Sequence, residues 1–356
     1  NGSGQSRHLS SIRRQLIDVT AQIRDGQLQI SWQFPSVLNN KLVGLVKLFE
    51  EKLSNLIAPT LNQHYALTPM QQGMFLHSSS SSESLYFNQT VVELNGGLDT
   101  PAFIQAWLQT VKAEQALKAA FEETSNGEPV QWFAKDAELP VHRYNWLGLD
   151  KRELQQRLDD LCIEDRAQGF NLAQPPLMRL HLIHIAEGQY WLIWSRHHLI
   201  VDAWCSSLVI KDVLHRYLNL TGKVLSTPQV RPQFEQYLNW LARQDMTQSH
   251  QFWRDQLADF NTPLVLAKGN QDDGFYLDDY KLSASLTQNI KGMSKREGVT
   301  LNAVIQSAWA LTLARHSGKH DVVFGMTSSG RPADLEQAQQ IIGIFINTLP
   351  VRVNLI

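Results

Sequence analysis

Apolar and polar positions alternate from Leu16 to Ile23 and again from Leu28 to Phe34, through Trp32. Asp25-Gly26 lies between the two runs and supplies a turn that tolerates positive φ, so the pattern predicts a β-hairpin. From Val37 to Ile57, Leu38, Leu42, Leu45, Leu48, Phe49, Leu53 and Leu56 mark one side of a helix. One hairpin and one helix cannot bury both apolar faces alone. Residues 1–58 therefore read as the end of something larger, and residues 59–66 as a linker.

Beyond the linker, Thr68 is placed to cap a helix whose first turn contains Pro69. Ser78 to Ser84 is a polar tract with the composition of a mobile loop. Tyr86–Leu94 alternates as a strand, and Pro101–Phe121 reads as a helix. Gly169–Leu180, with Pro175-Pro176, is a turn into a strand pair, Met178–Ile185 and Tyr190–Ser195, hinged at Glu187-Gly188. The chain leaves that pair through His197–Ala203 and continues as a helix from Trp204 to Leu218. Next come a helical stretch from Phe234 to Phe260, an extended region from Phe275 to Leu286 and a helix from Thr287 to Glu297. Thr300–Ser317 is apolar around Ala303, Ala308, Ala310 and Ala314, which predicts a helix packed inside a domain. Asp321–Met326 has the composition of a buried strand. Helices mixed with strands and no internal repeat predict an α/β fold with α+β layers, in two similar-sized halves.

Composition narrows the class. A formal net charge of −2 and the lack of a basic run argue against nucleic acid. No apolar stretch is long enough to span a membrane, and the N-terminus has no signal-peptide pattern. The only cysteines, Cys162 and Cys205, are far apart in apolar contexts, which fits a reducing, cytoplasmic setting.

The strongest chemical signal is His197-His198-x-x-x-Asp202 at a strand-to-helix junction. Neighbouring side chains on a strand point to opposite faces, so only one of the two histidines can face a cleft. An imidazole there can accept or guide a proton near neutral pH. Asp202 can serve as a second acid/base group or turn inward to pair with a cation. A metal site lacks a third ligand at suitable spacing, so none is expected. Gly2-Ser3-Gly4 follows no strand, and no G-x-S-x-G elbow is present. Ser329-Gly330-Arg331-Pro332 follows a strand and suits a tight turn.

Several segments, in order, resemble the condensation domains of nonribosomal peptide synthetases. Leu67-Thr68-Pro69-Met70-Gln71-Gln72-Gly73-Met74 is similar to the opening motif. Phe170-Asn171-Leu172 with Pro176-Leu177-Met178-Arg179 resembles the strand entry, and His197 to Trp204 the HHxxxDG active-site motif. Tyr237–Leu241, Gln244-Asp245 and Phe252-Trp253 resemble the next block. Asp321–Gly325, Ser329–Pro332 and Gly343 to Pro350 resemble the last. The likeness runs from about Tyr65 to Ile356. Two departures stand out: Ala203 replaces the usual glycine, and Lys118 replaces an arginine in Ala113–Phe121, where the family has R-H-x-x-L-R-x-x-F.

The resemblance implies a chloramphenicol-acetyltransferase-like, V-shaped pair of halves around a tunnel, here residues 67–230 and an incomplete 231–356. It implies peptide-bond formation between a donor peptidyl and an acceptor aminoacyl thioester. No cofactor would be bound directly; phosphopantetheine arms would arrive on upstream and downstream peptidyl carrier domains. It makes His198 the catalytic residue, as base or as orienting group. His197, Asp202 and Arg331 become its structural support, with Asp202 paired to Arg331, and Ala203, Trp204, Ser329, Gly330 and Asn347 become motif residues along the tunnel. Residues 1–58 resemble the last hairpin and helix of an epimerization domain, and Asp202-Ala203-Trp204 resembles the subtype that takes D-configured donors. Neighbouring epimerization and adenylation domains are then expected. The alternatives are an epimerization domain proper, which shares HHxxxDG but normally continues Val-Ser-Trp rather than Trp204-Cys205-Ser206, and a degenerate domain that only docks carriers.

Overall fold

The computed structural model describes residues 18–24, 27–33, 49, 63–80, 86–227, 229–261, 264 and 279–355. The chain divides into two compact units, residues 1–63 and 64–356. In the first, β1 (Asp18–Arg24) pairs antiparallel with β2 (Gln27–Gln33), in register from Arg24↔Gln27 to Asp18↔Gln33. This is the hairpin that the alternation predicts. The turn residues Asp25-Gly26 and, except for helical Phe49, the predicted helix Val37–Ile57 lie outside the described residues.

The second unit opens with β3 (Tyr65–Ala66) and α1 (Pro69–Ser80). Thr68 Oγ1 accepts the Gln71 N–H at 3.3 Å while Gln71 Oε1 accepts the Thr68 N–H at 3.0 Å, a reciprocal cap that starts α1. Ser78 to Ser80, expected in a mobile loop, are the last turn of this helix; Ser81 to Ser84 lie outside the described residues. β4 (Phe87–Asn95) leads to α2 (Thr100–Ala113), capped by Asp99.

The helix predicted to run on to Phe121 stops at Ala113. Glu114 is extended, Ala116–Lys118 form one 3-10 turn, and β5 (Ala119–Glu123) pairs with β6 (Pro129–Phe133). The Lys118 ammonium donates to the Lys112 and Lys135 carbonyls at 2.9 and 3.1 Å, tying the helix end to the loop after β6. The apolar positions Leu117 and Phe121 satisfy either period locally; pairing with β6 decides for the strand.

β7 (Val141–Asn145), α3 (Lys151–Gln168), β8 (Met178–Ala186), β9 (Gln189–His197) and α4 (Ala203–Leu220) complete a three-layer core. The sheet order is β4-β9-β8-β7, antiparallel except for β7 against β8. Leu180, Leu182, Leu192 and Trp194 face α2 and α4, where Trp107, Val209 and Val213 are buried. Ile183 and Ile193 face Leu158 and Leu161 of α3. Both faces are covered, which explains why β8 and β9 read as nearly continuous apolar runs.

The predicted single helix Phe234–Phe260 is two, α5 (Phe234–Ala242) and α6 (Thr247–Leu257). Asp245 accepts the Thr247 N–H at 2.9 Å and restarts the chain there. α7 (Ala284–Arg296) begins three residues earlier than predicted because Ser283 caps it. α8 (Leu301–Ser317), capped by Thr300, lies on β10 (Asp321–Ser328), which pairs antiparallel with β11 (Asn347–Asn354). The expectation of a fully packed α8 is corrected. Only Ala310 and Leu313 are buried, while Leu301, Ile305, Trp309 and Leu311 are exposed among the described residues. β10, predicted as a buried strand, buries only Val322.

Candidate active site

The two histidines sit at the end of β9 and have different fates. His197, the last strand residue, is 4% exposed. Its Nδ1 accepts the Leu199 N–H at 3.2 Å, which leaves the proton on Nε2, 3.4 Å from Ser78 Oγ. Burial, reinforced by neighbouring His198, lowers its pKa to about 4, so the ring is neutral at physiological pH. His198 begins the turn after the strand and is half-buried. Its backbone N–H donates to the Tyr86 carbonyl at 2.8 Å, and its Nδ1 has no hydrogen-bond partner among the described residues.

Asp202 is 1% exposed and caps α4. Its Oδ1 accepts the Cys205 N–H at 2.9 Å, and its Oδ2 accepts the Phe345 N–H at 3.1 Å. Of the two options open to it, the side chain takes the inward one. The Arg331 guanidinium lies 3.8 Å from Oδ1, donates to the Ala338 carbonyl and to the Ile341 carbonyl at 3.0 Å, and covers the Phe345 ring at 4.1 Å. Cys205 Sγ completes the knot, accepting from Arg331 Nη2 at 3.0 Å and from the Gly343 N–H at 3.2 Å. Burial, then the Asp202 charge, pushes its thiol up to about 12, so it stays protonated.

Gly330 has φ 63° and a Cβ there would lie 1.7 Å from the Phe345 carbonyl oxygen, so only glycine lets the two loops touch. Trp204 is exposed, but its indole N–H donates to the Gln339 carbonyl at 3.2 Å. Ala203 and Ser329 are exposed. Asn347 begins β11 with its side-chain oxygen accepting the Thr348 N–H at 2.9 Å. The structure thus gathers Asp202, Arg331 and Gly330 around Phe345, with the Trp204 ring 5.7 Å from the Arg331 guanidinium, while Ser329 and Asn347 stand outside that knot.

Some supports were missed from sequence. Gln71 and Gln131 are fully buried and exchange side-chain amide hydrogen bonds at 3.1 and 2.8 Å. Gln71 also donates to the Leu199 carbonyl at 3.2 Å, holding the residue after His198. Gln71 lies three positions after Thr68, a legible capping signal; Gln131, 60 residues on, carried none. Tyr86 and Phe345 contribute backbone groups, which no side-chain motif announces.

This is a mixed α/β fold seen in solved condensation domains. The first condensation domain of the calcium-dependent antibiotic synthetase superposes with a TM-score of 0.64 at 19% identity, over 83% of this chain and 70% of that one. A holo four-domain nonribosomal peptide synthetase bound to AMP and glycine gives 0.64 at 20% identity, over 82% and 22%. The Condensation domain family model matches residues 61–355. A linear gramicidin synthase polypeptide of Brevibacillus parabrevis is 32% identical over 97% of this chain, and bacitracin synthase 3 of Bacillus licheniformis is 31% identical over 90%. The chain belongs to the condensation-domain family of nonribosomal peptide synthetases. It spans 5% of the length of each of those two relatives.

Proposed function

We propose that the chain joins a donor peptidyl group to an acceptor aminoacyl group, with His198 at the reaction centre. Both substrates arrive as thioesters on the phosphopantetheine arms of carrier domains. The acceptor α-amine attacks the donor carbonyl carbon; the C–N bond forms, the C–S bond breaks, and the donor thiol leaves with the proton the amine gives up. The acceptor arm then carries a peptide one residue longer. Tethering brings the reactants together, and His198 accepts or guides the amine proton.

One contrast carries this reading. Of two adjacent imidazoles, His197 is buried and committed to local hydrogen bonds, while His198 is half-buried beyond the strand end with its backbone held in place. His197, Asp202 and Arg331 serve as its support. His198→Ala is expected to lower peptide formation between loaded donor and acceptor carriers at least about a hundredfold. Unchanged product would leave only a carrier-docking role.

The donor residue is D-configured in this proposal, which rests on Asp202-Ala203-Trp204 and on the epimerization-like segment 1–58. It further places epimerization and adenylation domains beside the chain, in a cytoplasmic assembly line; the two free cysteines suit that compartment. Donor carriers loaded with either epimer test the stereochemistry: equal rates, or a preference for the L form, remove it.

A further inference from the structure

We infer that Tyr86 is a positioning residue for His198, holding the imidazole-bearing turn through a left-handed backbone braced by α1. The inference rests on the proposed role of His198 and adds a residue to it. Tyr86 has φ 60°, a region that bulky L-residues rarely occupy. Such outliers persist where surrounding structure enforces them, and they collect at functional sites.

The enforcing contacts are specific. Phe87 pairs with His197 at the end of the β4–β9 ladder, so Tyr86 and His198 are the next residues out on each strand. There the His198 N–H donates to the Tyr86 carbonyl at 2.8 Å. The Tyr86 hydroxyl lies 2.8 Å from His77 Nδ1, and the two rings stack at 6.3 Å with planes 7° apart. The tyrosine ring also sits 6.4 Å from the ring of His197, whose Nε2 faces Ser78. The last turn of α1, through His77 and Ser78, therefore grips both residues that flank the His198 backbone. On the far side, Gln71 of the same helix takes the Leu199 carbonyl. A shift at Tyr86 would move the carbonyl that fixes His198 without touching the imidazole.

The test compares two substitutions in the whole chain, with loaded donor and acceptor carriers. Tyr86→Asn tolerates left-handed backbone; Tyr86→Val opposes it. Tyr86→Val is expected to lower kcat about tenfold or more with KM for both carriers unchanged, and Tyr86→Asn to stay within about threefold of the parent. Hydrogen exchange at the His198 amide should accelerate more in Tyr86→Val than in Tyr86→Asn. Parental kcat in Tyr86→Val, or equal losses in the two variants, overturns the positioning role. If Tyr86→Val does not fold, Tyr86→Phe and His77→Ala replace it, since both remove the hydroxyl–imidazole contact. Each should then lose about twofold to threefold, with the double variant no slower than the slower single; additive losses, or none, overturn it. Exchange at His198 is read without carriers, so it judges Tyr86 separately from His198→Ala, which judges the proposed reaction.

Discussion

Phe345 donates its backbone N–H to the Asp202 carboxylate at 3.1 Å, across 143 residues of chain. The same carboxylate caps α4 through the Cys205 N–H, so one buried side chain both starts the helix after His198 and anchors the loop before β11. Asp202→Ala would leave two backbone donors without an acceptor and the buried Arg331 without its counter-charge. It is expected to cost about 3–5 kcal/mol in chemical denaturation. Asp202→Asn keeps one acceptor oxygen and should lose less. Parental stability in Asp202→Ala would mean that the carboxylate is not the anchor.

Glu114 predicts a pH dependence near neutrality. It is buried at the end of α2; burial first, then the Asp212 charge, raises its pKa to about 7, against the opposing pull of Arg231, Arg216 and Lys118. Arg231 is already engaged with Asp212 at 2.9 and 2.7 Å. Because the folded pKa lies above the ordinary 4.5, the contribution is complete below that value and is lost as pH rises through about 7. The loss should be on the order of 2–3 kcal/mol. Glu114→Gln should flatten the fall in melting temperature between about pH 5 and pH 8. A parental slope in that variant would exclude Glu114 as its source.

Asp165 predicts the opposite dependence. On α3 it accepts from His181 at 3.0 Å, from Gln89 at 2.8 Å, and from Ser195 and Arg179. Burial alone would raise its carboxyl, but these four hydrogen bonds prevail and hold it well below the usual range. Its contribution is therefore present above the ordinary value of 3.8 and is lost as pH falls through the depressed one. Asp165→Asn should cost about 3–5 kcal/mol at neutral pH, and less as the medium is acidified. A penalty independent of pH would assign the effect to shape rather than charge.

How far the sequence reaches differs by element. Local signals sufficed where one short-range interaction decides the outcome. Thr68 reads as a helix start because its side-chain oxygen meets a backbone N–H within three residues. The hairpin around Gly188 read correctly because positive φ at a glycine is a local property. The ordered motifs were enough for the family, since each is contiguous. The sequence also narrowed the candidates to His197 and His198, by strand alternation.

The tertiary structure decided the rest, because those choices turn on partners far along the chain. It ended α2 at Ala113, since Ala119–Glu123 found β6. It separated the histidines by burying one beside Ser78, and it turned Asp202 inward to the Phe345 N–H and Arg331. Backbone donors and carbonyls such as those of Phe345 and Tyr86 have no residue-type signature, and their roles come only from where the fold carries them.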